Sequence, residues 1–192
     1  QNTPSNFTHN TWLSDDGNTL FTTDERANAS VSAYDISDFS DIEFLDSFRA
    51  EQETGLIPHN VHVRGEYLIT SYYSDGVIVH DATYPYNLVQ VGNYDTYIGQ
   101  TPGFDGCWGV YPFFSSGKAV AADITKGLFI LGMHYQKGCY LEGVVTDAVS
   151  GQTLSNVSVQ LSSAVMLEKT NQVGFYATGT ALSGIYTVSF TK

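Results

Sequence analysis

His59-Asn60-Val61-His62, Leu68-Ile69-Thr70-Ser71-Tyr72-Tyr73, Val77-Ile78-Val79-His80-Asp81-Ala82 and Leu88-Val89-Gln90-Val91-Gly92-Asn93-Tyr94 are four short runs rich in branched and aromatic residues. Arg64-Gly65-Glu66 and Ser74-Asp75-Gly76 stand between the first three. Such runs, bounded by Gly, Asp and Ser, predict strands joined by tight turns. The series is also a repeat. Fifty residues earlier His9-Asn10-Thr11-Trp12 opens the same pattern, followed by Leu20-Phe21-Thr22-Thr23-Asp24-Glu25, Val31 to Ile36 and Glu43 to Phe48. A third copy begins at Trp108-Gly109-Val110-Tyr111 and continues with Ala119 to Ile124 and Leu128 to Leu131. Four-stranded units of ~40–50 residues point to propeller blades, which bury their faces by stacking around an axis. The predicted fold is all-β, with a partial β-propeller of about three blades over residues 1–137. An ordinary β-sandwich with fortuitous self-similarity is the competing reading.

Composition agrees and sets limits. Of 192 residues, 8 are basic and 20 acidic, a net charge of −12. Duplex nucleic acid and anionic membranes need clustered Lys and Arg, so neither is an expected partner. No apolar run approaches the ~20 residues of a membrane-spanning helix. Charged residues make up only 15% and no segment carries a sustained 3.6-residue apolar period, which disfavours helices. A hydrophobic content of 42% argues against disorder.

The repeated His-Asn starts, Asp24-Glu25, Tyr72-Tyr73-Ser74-Asp75-Gly76 and Phe104-Asp105-Gly106-Cys107-Trp108-Gly109-Val110-Tyr111-Pro112 resemble the LVIVD-repeat proteins, and more narrowly the secreted choice-of-anchor B family. The resemblance covers about residues 5 to 133. It implies a β-propeller in an exported protein, extracellular or at the cell surface, without an established activity. It also implies more blades than three, so the chain is expected to be the C-terminal part of such a propeller and to be completed by another polypeptide. That polypeptide would be the rest of the propeller or a neighbouring copy donating a strand.

The pattern changes near Lys137-Gly138-Cys139. Residues 138–192 read as a separate small β-sandwich, in which Val157, Val159 and Leu161 alternate onto one face and Gly151 suits a turn. Gly143, Asp147, Gly151, Leu154, Val157, Val159, Gly174, Phe175, Gly184 and Tyr186 are similar to the carboxypeptidase-regulatory-like, transthyretin-like module. Relative to that module, the last strand is expected to be missing.

The strongest polar constellation is His9, His59 and His62 with Asp24, Glu25 and Asp105. His9 and His59 are repeat-equivalent, so both should point to one end of the stacked units. There His9, His59, Glu25 and Asp105 could hold a divalent metal ion. His62, three residues along a strand from His59, should face away. The alternative is that each His-Asn pair is a structural cap. Trp108, Tyr111, Tyr72 and Tyr73 would fill space between units or stack on a sugar. His80 and His134 read as packing residues. Cys107 and Cys139 match no metal or redox spacing; a disulfide and two unrelated thiols both remain open. Three Asn-x-Ser/Thr triplets begin at Asn6, Asn28 and Asn156. No nucleophile elbow, phosphate loop or dinucleotide fingerprint occurs. The expected function is a surface-associated structural or binding module, more a binder than an enzyme. The alternatives are a metal-assisted enzyme with its site at the propeller mouth, and a subunit of an extracellular assembly joined by strand donation.

Overall fold

The structure, a computed structural model, describes residues 2–50, 54–99, 101–162 and 167–192. Among these it is all-β, without a helix. The first sheet is a meander of β1 (Thr8–Leu13), β2 (Thr19–Asp24), β3 (Val31–Asp35) and β4 (Glu43–Phe48). The second repeats it with β5 (Asn60–Arg64), β6 (Tyr67–Ser71), β7 (Val77–Asp81) and β8 (Val89–Tyr94). All pairs are antiparallel. The turns follow local chemistry. Asp35 and Asp81 end equivalent strands, and each accepts from the backbone N–H two residues on, Ser37 at 2.8 Å and Thr83 at 2.9 Å.

The third sheet contains β9 (Cys107–Tyr111), β10 (Lys118–Asp123) and β11 (Gly127–Gly132), three strands rather than four. The reason lies in the segment after β11, which turns back onto the second sheet. Gln136 donates to the Val91 carbonyl at 3.1 Å, Lys137 pairs with Glu66, and the Gly138 N–H donates to Asp81 at 2.8 Å. His134 is exposed in this segment and is not the packing residue expected.

Strand alternation explains how the sheets stack. Leu68 and Ile78 face the first sheet and join Phe21, Val31, Ala33 and Phe48 in one core. Their neighbours Ile69 and Val77 point the other way, against Val110, Ala119, Ala121 and Leu131 of the third sheet. The second sheet is therefore buried on both faces, which accounts for the almost unbroken apolar runs of β6 and β7. Alanines at positions 33, 119 and 121 let the sheets approach closely. The innermost strands line up, with β5 between β1 and β9.

Beyond residue 138, β12 (Cys139–Val144) pairs with β15 (Phe175–Thr180), and β13 (Ser158–Leu161) pairs with β14 (Glu168–Lys169) and β16 (Val188–Thr191). Val157, Val159 and Leu161 are buried, and Tyr176 meets Phe190 edge-to-face between the two sheets. This part abuts the repeats: Asn87 donates to the Thr178 carbonyl at 3.1 Å. The cysteines are not bonded to each other. Cys107 is sealed in the core beside Ile69 and Val77, whereas Cys139 starts β12 opposite Thr180. Burial pushes the Cys107 thiol up to about 12, so it is an inert core thiol.

Candidate functional site

Three side chains from two sheets meet where the innermost strands begin. His9 lies on β1, Glu25 directly follows β2, and His59 directly precedes β5. The backbone holds each in place. The Glu25 N–H donates to the Phe7 carbonyl at 3.1 Å, and the His59 N–H donates to the Ser71 carbonyl at 2.9 Å. The His59 carbonyl accepts from the Thr23 hydroxyl of the first sheet at 2.5 Å.

His9 Nδ1 is 3.3 Å from one oxygen of Glu25, and His59 Nε2 is 3.5 Å from the other. The imidazoles stack with centroids 4.5 Å apart, and Trp108 continues the column at 5.6 Å from His59. One ligand atom from each of His9, Glu25 and His59 lies within 4.8 Å of the others.

The hydrogen bonds set the protonation of His59. Its Nδ1 bonds the Trp108 carbonyl, which can only accept. Nδ1 therefore carries the proton. Burial lowers the pKa of His59; the Trp108 carbonyl raises it, His9 lowers it, and Glu25 raises it. The neutral ring then aims a lone pair from Nε2 at a carboxylate oxygen. With ligand atoms of His9, Glu25 and His59 within 4.8 Å of one another, the three residues could hold a metal ion. Two imidazoles and a carboxylate form a donor set used by catalytic zinc sites, which leave a further position for water or substrate.

The remaining sequence candidates lie elsewhere. Asp24 is buried and accepts from Thr3 and from the Ser5 N–H, each at 2.6 Å, so it fastens the N-terminal segment. Asp105 is exposed and outside the three-residue group, in the loop where Gly106 closes onto the Tyr73 carbonyl. His62 packs with Trp12 and Phe113 and does not join the group. His80 is fully buried against Phe48. Two further contributors were hidden from the sequence. The Trp108 carbonyl could be placed only through its repeat equivalence to His9 and His59. The hydroxyl of Tyr73, which donates to Glu25 at 2.6 Å across the sheet boundary, has no sequence signal.

A cavity of about 410 Å³ lies away from this cluster, between β4, β8 and β15. It contains Asp46 and Glu168. Burial pushes the Asp46 carboxyl up to about 7, and burial also raises Glu168. Asp46 receives the N–H groups of Leu88 at 2.7 Å and Ser47 at 2.8 Å, which marks it as a structural acid.

No family model and no curated protein matches the chain. Among solved structures, it is similar to a candidate 6-phosphogluconolactonase from Bacteroides uniformis, with 17% identity and a TM-score of 0.51. That alignment covers 96% of this chain and 57% of that one. A periplasmic gluconolactonase of Pseudomonas aeruginosa is 14% identical with a TM-score of 0.49, covering 76% of this chain and 37% of that one. At these identities the likeness is one of fold. It corrects the expected families: the Bacteroides fold neighbour bears a lactonase name, and neither the LVIVD and choice-of-anchor B resemblance nor the carboxypeptidase-regulatory-like one finds support. The expectation of a surface-associated structural or binding module, more a binder than an enzyme, is corrected as well, since the fold neighbour bears the name of an enzyme.

Proposed function

We propose that the chain carries a metal-assisted hydrolytic site for cyclic esters, built on His9, Glu25 and His59. The observation that carries the reading is the convergence of His9, Glu25 and His59, whose ligand atoms lie within 4.8 Å of one another, with the Glu25 carboxylate 3.3 Å from His9 Nδ1 and 3.5 Å from His59 Nε2. A divalent ion there would polarise the ester carbonyl and acidify a water. Water adds to the carbonyl carbon, the ring C–O bond breaks, and a hydroxy acid leaves. Trp108, stacked on His59 and 56% exposed, offers a flat face for the substrate ring. The lactonase name of the Bacteroides fold neighbour supports the substrate class.

The same proposal reads the three meanders as blades of a partial propeller over residues 1–137 and residues 138–192 as a small β-sandwich. It includes another polypeptide sheet against β11, which among the described residues pairs with β10 alone and exposes Leu128 and Ile130 at 67% each. It also includes export from the cytoplasm, as named for the Pseudomonas protein; fractionation of source cells checks this. The activity is tested by following acid release from glucono-δ-lactone by the zinc- or manganese-loaded chain, with His59→Ala as control. Metal-dependent hydrolysis lost in the variant is expected. A rate equal to the uncatalysed one with every metal would overturn the reading.

A further inference from the structure

Four non-glycine residues among those described have a positive φ: Asn6, Asn28, Asn156 and Tyr73. Asparagine tolerates left-handed backbone because its short side chain bonds locally. A tyrosine has no such excuse. Its φ of 36° is a strained value that only surrounding structure can hold. Two contacts hold it. The Tyr73 carbonyl accepts the N–H of Gly76 at 3.0 Å within its own turn and that of Cys107 at 2.8 Å from the third sheet. Gly106 lies so close that a Cβ there would stand 2.4 Å from the Tyr73 oxygen.

The strained backbone sends the side chain across to the first sheet. The Tyr73 hydroxyl donates to Glu25 Oε1 at 2.6 Å, and its ring lies 5.0 Å from that of His59. A carboxylate oxygen can only accept, so the phenol hydroxyl is the donor of this bond. We infer that Tyr73 is a positioning residue, locked by the second and third sheets so that its hydroxyl fixes the Glu25 carboxylate between His9 and His59. The inference rests on the metal-site reading and deepens it. Tyr73 tethers Oε1, the Glu25 oxygen 3.5 Å from His59 Nε2, and Oε2 is left 3.3 Å from His9 Nδ1, so the carboxylate is held facing both imidazoles. All three sheets thereby contribute to a cluster whose ligands come from only two.

The test compares Tyr73→Phe with the unaltered chain by titration with Co²⁺, followed calorimetrically and by the visible absorption of the bound ion. Loss of a hydrogen bond that orients a metal ligand weakens binding by roughly 10–100-fold. That loss is expected with an altered cobalt spectrum, while the melting temperature moves by only a few degrees. Affinity within about threefold of the parent, with an unchanged spectrum, would overturn the inference. If the parent itself binds no cobalt, the metal reading fails and Tyr73 is judged separately. A metal-free double-mutant cycle of Tyr73→Phe with Glu25→Ala then decides. Non-additive changes in melting temperature support the tether, and additive ones refute it.

Discussion

His9 and His59 stand fifty residues apart in the chain and stack with ring centroids 4.5 Å apart and planes 25° from parallel. Each opens the innermost strand of its sheet, and stacking the sheets superimposes the openings. His9→Phe keeps a ring in the column and removes one proposed ligand. It should leave the melting temperature within a few degrees of the parent, yet lower zinc affinity by at least about tenfold, the scale of losing even a supporting group. Calorimetric titration measures it; equal affinity would exclude His9 as a ligand.

Asp46 should make the fold less stable as pH rises. Its carboxyl titrates at about 7 when folded, against an ordinary value of 3.8. Between those values the native state holds a proton that the unfolded chain has released, so the contribution is full below about 4 and lost by about 7. The change is on the order of 2–4 kcal/mol. Asp46→Asn should remove this fall, seen as converging melting curves from pH 4 to 8. Parallel curves for the two proteins would contradict it.

His80 acts in the opposite direction. It is fully buried, neither ring nitrogen has a hydrogen-bond partner among the described residues, and burial lowers it to about 3. Stability is therefore lost as pH falls below about 6.5, where the unfolded chain takes up a proton. His80→Phe preserves the edge-to-face contact with Phe48 and removes two unsatisfied nitrogens. It should be neutral to stabilising near pH 7 and should gain roughly 1–3 kcal/mol near pH 5, measured by denaturant unfolding. A variant less stable at pH 5 would be inconsistent with this account.

Gly65 and Gly76 both occupy left-handed turns, with φ of 58° and 78°. They differ in space. A Cβ on Gly65 meets nothing within 4 Å, whereas one on Gly76 would lie 2.1 Å from the Tyr94 carbonyl oxygen. Gly65→Ala should cost about 1 kcal/mol, from the backbone alone. Gly76→Ala should cost roughly 3 kcal/mol or more. Equal costs in urea titrations would show that the turn after Tyr73 relaxes freely.

Legibility from sequence followed the range of the interactions. The strands of the first two sheets were readable because alternation and Gly-Asp turns are local, and the repeat supplied the grouping. The three strands of the third sheet coincide with the three runs read for it, whereas the course of the chain after them depends on Lys137 and Gly138 finding Glu66 and Asp81 far back in the chain. The Asn-x-Ser/Thr triplets coincide with left-handed turns at all three asparagines, a backbone requirement visible only in three dimensions. At the site, repeat equivalence brought His9 to His59, and Glu25 came as their neighbour. Asp105 failed because proximity in sequence to Trp108 does not fix the direction of an exposed loop side chain. Family resemblance misled most, since short motifs around strand turns reflect the needs of meandering sheets in general.

We propose that one divalent ion is held by His9, Glu25 and His59. Elemental analysis of the purified chain, loaded with zinc and freed of excess by gel filtration, tests it most directly beside Glu25→Gln. The account predicts about one zinc per chain in the parent and loss of most of it in the variant, as expected when an anionic ligand is neutralised in place. A parent without bound zinc, or a variant that retains it fully, would contradict the account.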